Sequence, residues 1–218
     1  MPPSPNPITQ SRLTGGDNRI YLASRSPRRR ELLKQIGVSF ESLLVREDLR
    51  RGVDVDETPL PEESAGIYVL RIARAKVAIA LQQIAQRALP QKPVLAADTT
   101  IVFDDRIIGK PEDGQDAVRM LRSLSGREHQ VLTAVALALR EQVETQISVS
   151  SVWFRELDDA EIRRYVASGE PLDKAGAYAI QGRGAAFVTR IEGSYSGIMG
   201  LPLAETADLL QRFSIPVL

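Results

Sequence analysis

The 218-residue chain has no cysteine and only one histidine, His129. Without cysteine there can be no disulfide, no thiolate metal site and no cysteine nucleophile. With one histidine, neither a cluster of histidine metal ligands nor a serine triad of the usual type can be built. We therefore interpret His129 as a structural residue or as one that supports a site indirectly. The absence of cysteine is typical of a cytoplasmic protein.

The sequence also lacks an excess of charge and a long apolar run. Its 28 Lys and Arg residues balance 28 Asp and Glu residues, whereas proteins that coat nucleic acid depend on a basic excess. The longest apolar stretch, near residues 131–139, covers about half of the roughly 20 residues that span a bilayer. These absences exclude a transmembrane helix and argue against nucleic-acid and membrane partners. Any binding of an anion must therefore be local.

Residues 1–18 contain four prolines and no apolar run. They lack the central segment of a secretory signal, and we expect a disordered N-terminal tail. From residue 19 onward, no internal repeat or change of composition marks a linker. We expect residues 19–218 to form a single domain, since a chain of this length can bury a sizeable core.

Short apolar runs alternate with helix-start signals and predict an α/β fold. Strands are expected at 19–23, 40–45, 94–103, 106–108, 130–139, 144–154 and 185–191. Helices are expected at 27–36, 62–88, 113–124, 158–167 and 203–213. The strands at 130–139 and 144–154 are joined by a short polar segment, which predicts an antiparallel hairpin.

A serine- and arginine-rich junction follows the first predicted strand, with Ser24, Ser26, Arg28 and Arg29 at the start of a helix. Free amides at a helix N-terminus attract phosphate, and arginine adds bidentate donors. Basic residues in a first turn oppose the helix dipole, and a broken local rule of this kind often marks a site. The alternative is a solvated basic turn without a ligand.

Asp98 follows directly on apolar strand residues, in the sequence AADTT at 96–100. Open α/β sheets bind ligands beyond the carboxyl ends of their strands, where this carboxylate is expected to lie. It could act as a general base toward water or as a ligand for a hard cation such as Mg²⁺. The alternative is a strand-end aspartate that only caps or turns the chain.

Four more features carry polar groups. Lys110 in a Gly-Lys-Pro loop and Lys76 on the long helix could reach a phosphate as point charges, or they could remain solvated. The glycine-spaced run at 169–182 permits close backbone approach to a ligand. The charged loop at 46–61 holds five acids, most of which we interpret as a solvated face; they are Glu47, Asp48, Asp54, Asp56 and Glu57.

Taken together, six blocks of sequence resemble the Maf family of nucleoside triphosphate pyrophosphatases. The blocks are ASRSPRRRELL (23–33), AADTT (96–100), GKP (109–111), SGREHQVLTAV (125–135), GEPLDKAGAYAIQG (169–182) and GSYSGIMGLP (193–202). They occur in order at consistent spacing, and the resemblance extends from residue 19 to residue 213. Each block is a weak signal alone, whereas the six together are specific.

The resemblance implies an α/β fold like that of the inosine triphosphate pyrophosphatases, with an elongated mixed β-sheet, surrounding helices and a central cleft. It implies hydrolysis of a nucleoside triphosphate to the monophosphate and pyrophosphate with a divalent cation, Mg²⁺ or Mn²⁺, and it suggests a homodimer. The DKAGAYAIQG block resembles the branch of the family that acts on dTTP and UTP. Modified pyrimidine triphosphates are then further expected substrates.

In that branch the catalytic aspartate corresponds to Asp98, and the specificity positions correspond to Arg28, Thr99 and Gln181. We expect the phosphates to be bound by Ser24, Arg28, Arg29, Lys76 and Lys110. The metal is expected on Asp98 and, from the later pair of acids in the charged loop, on Glu57. Whether Asp98 takes a proton or holds the cation is left open.

The Gln181 carboxamide can pair with the edge of uracil, but an amide can also flip to suit cytosine. Rejecting cytosine therefore requires a fixed donor toward the 4-carbonyl, from Arg28 or from a backbone amide near Thr99.

Two departures from the family pattern bear on the site. Ala179 stands where the family block usually has glycine, and its methyl would crowd the pocket if that position needed an unusual backbone angle. The 46–61 loop is also longer than the family's acidic turn.

Two other functions remain open. One is a relative that acts on 7-methyl-GTP, which the AYAIQG block disfavours. The other is a nucleotide-binding regulator of cell division with little turnover, which the intact set of Asp98, Lys110 and Arg28 disfavours.

Overall fold

The computed structural model of the protein describes residues 19–43 and 55–217. The strands are β1 (Ile20–Leu22), β2 (Phe40–Ser42), β3 (Val94–Phe103), β4 (Arg106–Ile108), β5 (Glu128–Leu139), β6 (Gln142–Phe154) and β7 (Val188–Glu192). The α-helices are α1 (Pro27–Gln35), α2 (Ala65–Gln86), α3 (Gly114–Leu124), α4 (Asp159–Ala167), α5 (Tyr195–Met199) and α6 (Leu203–Arg212). Short 3-10 turns lie at Glu170–Asp173, Ala175–Ala177 and Arg183–Phe187.

Within the described residues, the strands form one mixed sheet of seven, in the order β2-β1-β3-β5-β6-β7, with β4 also on β3. The pairs β2–β1 and β1–β3 are parallel, and the pairs from β3 through β5 and β6 to β7 are antiparallel. The expected α/β architecture, a mixed sheet with surrounding helices, is confirmed. The expected hairpin is β5–β6, in which Leu139 pairs with Gln142 across a short turn.

Side chains of β3 alternate between the two faces of the sheet and so divide the core. Val94 and Ala96 belong to the apolar cluster that includes the buried side of α2. Leu95 and Ala97 belong to the cluster on the opposite face, with residues of α1 and α6. Because the side-chain period of a strand is 2, Asp98 emerges on the α2 face and Thr99 on the α1 face. One strand thus supplies polar groups to two sides of the same region.

Four of the described helices, α1, α3, α4 and α6, begin where the sequence signals predict them. The Ser26 hydroxyl accepts from the Arg29 N–H at the start of α1, and Asp113 and Asp158 cap α3 and α4 in the same way. The long helix is three residues shorter at its start than the expected 62–88, because Ser64 is its N-cap. Gly37, with φ of 73°, follows the end of α1, as a C-terminal glycine should.

One local expectation of secondary structure was wrong, and one helix was missed. A strand was expected at 185–191, but Arg183–Phe187 is a 3-10 turn and pairing with β6 starts only at Val188. The reason is that the Glu170 carboxylate accepts from the N–H groups of Arg183 and Gly184, which curls the backbone away from the sheet. Helix α5 was not expected at all; it starts at Ser194, whose side chain accepts from the Gly197 N–H.

Some expectations fall on residues outside the described part of the chain. These are the tail at 1–18, the end of the second strand beyond Leu43, and the acids Glu47, Asp48 and Asp54. The expectation of a single domain from residue 19 onward stays a prediction. In the two described segments, no helix has both the length and the hydropathy needed to cross a membrane.

Candidate active site

The site lies where the sheet opens along one edge of β3. On that edge, among the described strands, β1 pairs only with Val94 and Leu95, and β4 pairs only from Ile101 onward. Residues 96–100 therefore have no described strand partner on this side, although they pair with β5 on the other. The Ala23 N–H donates to the Leu95 carbonyl, so by alternation the peptide group of Thr99 also points toward this opening. A cavity of about 1390 Å³ occupies the region.

On the α2 face, a lysine bridges two carboxylates. Nζ of Lys76 lies 2.7 Å from Oδ1 of Asp98 and 2.7 Å from Oε1 of Glu57. Asp98 is only 7% exposed, and burial of an ionised carboxylate requires this kind of partner. Burial alone would raise the pKa of Glu57, but the hydrogen bond and charge of Lys76, with the charges of Lys110 and Arg29, hold that pKa below its ordinary value. Glu57 is therefore ionised at neutral pH.

The backbone around Glu57 is fastened to α2. The Tyr68 hydroxyl donates to the Glu57 carbonyl at 2.9 Å, and burial near Asp98 and Glu57 raises the pKa of Tyr68 to about 12. Arg71 donates to the Thr58 carbonyl at 3.1 Å and forms an ion pair with Glu63. Of the later pair of loop acids, Asp56 instead accepts from the Thr58 N–H within its own turn. Glu57 is thus the member of that pair that contacts Lys76.

On the α1 face, Arg29 is held by acceptors from distant parts of the chain. Its Nε donates to the Gly200 carbonyl at 2.7 Å, one Nη to Ser24 Oγ at 3.4 Å and the other to Thr99 Oγ1 at 3.4 Å. A guanidinium has five N–H groups, so these contacts with described residues leave one N–H on each Nη for a ligand. Burial lowers the pKa of Arg29, while Asp98 and Glu57 oppose that shift. The group remains a fixed cation.

A chain of hydroxyls sets the direction of the Thr99 hydrogen bonds. Thr133 Oγ1 donates to the Gly197 carbonyl at 2.8 Å and lies 2.9 Å from Thr99 Oγ1. Because a hydroxyl has one proton, Thr133 must accept from Thr99. The Thr99 proton is therefore used, and its oxygen is left to accept from Arg29. Thr99 thereby supports Arg29 in addition to lining the cavity.

Arg28, the neighbour of Arg29, contacts Gln181. Amide orientation is assigned from hydrogen bonds, and in the favoured orientation the Gln181 oxygen accepts from Nε and Nη1 of Arg28, the latter at 3.3 Å. In this orientation the amide oxygen is taken and the NH₂ group is available to a ligand. Burial lowers the pKa of Arg28, and the negative charge of Glu170 opposes that shift.

The structure brings together all of the site residues expected from the sequence within the described chain. The residues of that set that line the cavity are Ser24, Arg28, Arg29, Glu57, Lys76, Asp98, Thr99, Lys110 and Gln181. Ala179 also lines it; its φ is not positive, so its methyl meets no backbone restriction there. The non-glycine residue of this block with a positive φ is Ala177, with φ of 58°.

Three supporting residues were missed: Thr133, Gly200 and Glu170. All three fall inside the sequence blocks, and for Thr133 and Glu170 a polar residue within a block was an available signal. Gly200 contributes only a backbone carbonyl, for which a sequence carries no mark. Its φ of 113° is a conformation that glycine adopts readily.

The carboxylates on the α2 face form a donor set for a cation. Mg²⁺ in nucleotide enzymes is commonly held by one or two carboxylates together with phosphate oxygens of the substrate. The described residues contain no group of three or more His, Cys, Asp and Glu side chains that could hold a metal ion. Asp98 and Glu57 therefore fit a cation that arrives with a phosphorylated ligand, and do not fit an all-protein cage.

An opening in a mixed α/β sheet, with arginine and lysine facing two carboxylates, defines a site suited to phosphorylated ligands. A family model described as Maf-like protein matches residues 19–213, and the chain belongs to that family.

Three relatives with high sequence identity share the name dTTP/UTP pyrophosphatase. A dTTP/UTP pyrophosphatase of Nitrosomonas europaea is 57% identical over 205 residues, which cover 94% of this chain and 99% of that protein. One of Dechloromonas aromatica is 55% identical over 194 residues, 89% of this chain and 96% of that protein. One of Aromatoleum aromaticum is 57% identical over 200 residues, which cover 91% of this chain and 97% of that protein.

Among solved structures, the Ham1 protein of Staphylococcus aureus matches with a TM-score of 0.45 at 14% identity, covering 90% of this chain and 97% of that one. This score is too low to establish a common fold. The α/β architecture rests on the sheet and helices described above.

Proposed function

We propose that the protein hydrolyses dTTP and UTP to the nucleoside monophosphate and pyrophosphate, and acts on modified pyrimidine triphosphates as well. The relatives named dTTP/UTP pyrophosphatase match nearly the whole chain. The observation that carries the proposal is the buried Asp98 carboxylate, paired with Lys76 in a cavity that Arg29 also lines. Hydrolysis of a phosphoanhydride needs such a carboxylate beside cations that neutralise the departing phosphate.

In the reaction, a water oxygen attacks the α-phosphorus, the bond from that phosphorus to the bridging oxygen breaks, and pyrophosphate leaves with that oxygen. Asp98 has one of two roles: it accepts the proton that the water loses, or it holds the cation. Arg28, Arg29, Lys76 and Lys110 bind phosphate oxygens and balance the charge on the leaving group, and Ser24 adds a hydroxyl donor. Asp98 and Glu57 would hold Mg²⁺ or Mn²⁺, which neutralises phosphate charge and lowers the pKa of water.

Base choice depends on the Gln181 amide. With its oxygen on Arg28, Gln181 presents NH₂ to the ligand, and NH₂ can donate to the 4-carbonyl of uracil or thymine. Cytosine has an amino group at that position, and two donors would face each other. The fixed donor required to reject cytosine is then Gln181 itself, and Arg28 acts through it. Thr99 takes part by supporting Arg29 and by directing its own peptide group to the opening.

The test is release of pyrophosphate from a panel of dTTP, UTP, CTP and 7-methyl-GTP with Mg²⁺ or Mn²⁺. We expect turnover of dTTP and UTP in the wild type and its loss in Asp98→Asn. Gln181→Ala should relax or abolish base choice far more than it slows pyrophosphate release. Preferential turnover of 7-methyl-GTP would contradict the substrate assignment, and tight binding without turnover would point to a regulator.

A second measurement separates the two roles open to Asp98. If Asp98 mainly holds the cation, Asp98→Glu should raise the metal concentration needed for half-maximal activity. If it mainly takes the proton, that concentration should stay near the wild-type value while kcat falls.

We also propose a cytoplasmic location, a homodimer and a single domain over residues 19–218, which fractionation, sedimentation equilibrium and limited proteolysis would test.

A further inference from the structure

The carboxylate of Glu170 accepts three hydrogen bonds. Its Oε1 accepts from the Tyr165 hydroxyl at 2.9 Å and from the Gly184 N–H at 3.2 Å. Its Oε2 accepts from the Arg183 N–H at 3.1 Å. Burial would raise the pKa of Glu170, but these three donors hold it below its ordinary value. An ionised carboxylate accepts on both oxygens and donates on neither, which makes it suited to this position.

The same group shapes the segment that carries Gln181. The Tyr165 hydroxyl accepts from the Ala179 N–H at 3.2 Å, so Tyr165 and Glu170 together hold backbone on both sides of Gln181. A Cβ atom at Gly182 would overlap with the carboxylate of Glu170, which fills the space that only glycine leaves. Residues 179–184 therefore wrap around the Tyr165–Glu170 pair.

Glu170 also acts on the partner of Gln181. Its negative charge is the largest of those that favour the charged form of the half-buried Arg28 guanidinium. Arg28 in turn holds the Gln181 oxygen, which leaves the NH₂ group for the ligand. Glu170 thus influences both members of the Arg28–Gln181 pair, yet it is not among the described residues that line the cavity.

We infer that Glu170 is a positioning residue for base selection: by holding the backbone around Gln181, it fixes the amide as a donor to the pyrimidine. The inference rests on the proposed function and adds a residue to it. Loss of the carboxylate lets the 179–184 segment move and the amide turn. The protein then discriminates less between a carbonyl and an amino group at position 4 of the base.

Glu170→Gln tests the inference because it keeps the shape of the side chain. It replaces one carboxylate oxygen, an acceptor, by an NH₂ group that would face another N–H or O–H donor. We expect the ratio of kcat/KM for UTP to that for CTP to fall about tenfold, while kcat for UTP at saturation changes little. Tyr165→Phe, which removes the hydroxyl between Glu170 and Ala179, should lower the same ratio. If Glu170→Gln does not fold, Tyr165→Phe still decides the question.

Glu161→Gln is the matched control, since Glu161, on α4, pairs with Arg155 and is absent from the described cavity lining. It should leave the ratio unchanged. In a Gln181→Ala background, Glu170→Gln should have no further effect on the ratio, because the positioned group is gone. An unchanged ratio in Glu170→Gln, or an additive effect in the double variant, would overturn the inference.

Binding of nonhydrolysable UTP and CTP analogues, measured by calorimetry, separates this inference from the proposed function. If the wild type prefers the UTP analogue but does not turn over UTP, the hydrolase proposal fails, and the effect of Glu170→Gln on the binding ratio still decides the inference. If the wild type turns over UTP selectively and Glu170→Gln keeps full selectivity, only the inference fails. A wild type with no preference between the analogues contradicts both.

Discussion

Nζ of Lys76 lies 2.7 Å from Oδ1 of Asp98, in a cavity where the aspartate is almost fully buried. The lysine also contacts Glu57, so it separates two negative charges that would otherwise repel each other. This contact joins the middle of α2 to the stretch of β3 that has no described strand partner on one side, and the first prediction follows from it.

Replacing Lys76 by Met should reduce kcat/KM for UTP about 100-fold or more, the usual effect of removing one preorganised group that stabilises transition-state charge. The pKa of Glu57 should rise in the variant, because its hydrogen-bonding cation is gone. Steady-state kinetics and NMR titration of the glutamate would measure the two effects. The control is Arg74→Met, which removes a cation from the exposed side of the same helix and should leave activity unchanged. A Lys76→Met enzyme with wild-type kinetics would rule out its role with phosphate.

Arg29→Lys should also lower kcat/KM strongly although the charge is kept. The guanidinium reaches three acceptors at once, Gly200, Ser24 and Thr99, and a lysine ammonium cannot reproduce that planar fork. Pyrophosphate release measures the effect. Arg30→Lys is the control one position along the same helix turn, and we expect it to be nearly neutral. Equal effects of the two substitutions would show that the fork geometry is unimportant.

Gly176→Ala should destabilise the protein by about 2–4 kcal/mol. Gly176 has φ of 67°, and an added Cβ would overlap with Cδ1 of Ile101. Gly109→Ala is the matched control, because the Gly109 carbonyl accepts from the Gly176 N–H but its own Cβ would meet no described atom within 4 Å. Thermal unfolding of both variants would measure the difference, and equal melting temperatures would contradict the prediction.

His129 should make stability depend on pH. Burial lowers the pKa of His129 from 6.5 to about 4, and its Nε2 lies 2.9 Å from the Tyr178 hydroxyl. Between these values the unfolded chain binds a proton that the folded chain does not, so stability is lost as pH falls through this window and is full above it. The loss should reach about 3 kcal/mol. Denaturant unfolding at several pH values would measure this loss of stability. In His129→Gln the change of unfolding free energy with pH should be smaller by about the same amount. If the variant and the wild type show the same change with pH, His129 is not its cause.

Most of the fold and the site could be predicted because their signals are local. Asp98 is a charged residue in an otherwise apolar run, and Ser26 with Arg29 marks a strand-to-helix junction, so both were singled out from neighbouring residues alone. The expectation that Asp98 lies beyond the end of a strand was wrong, because β3 continues through it to Phe103. The opening beside β3 gave no such signal, since it depends on where β1 stops pairing and β4 starts. The turn at Arg183–Phe187 was mistaken for strand because its apolar residues matched the pattern, while the Glu170 contacts that bend it come from 13 and 14 residues away.

The contact between Arg29 and Gly200 spans 171 residues, whereas the β5–β6 hairpin pairs residues that are close in sequence. Hairpins form within microseconds, but contacts of high sequence separation must wait for the closure of long loops. During refolding, β-structure should therefore appear before the guanidinium reaches its place. Recovery of catalysis then reports the last stage of folding, and a partly folded chain holds no working enzyme.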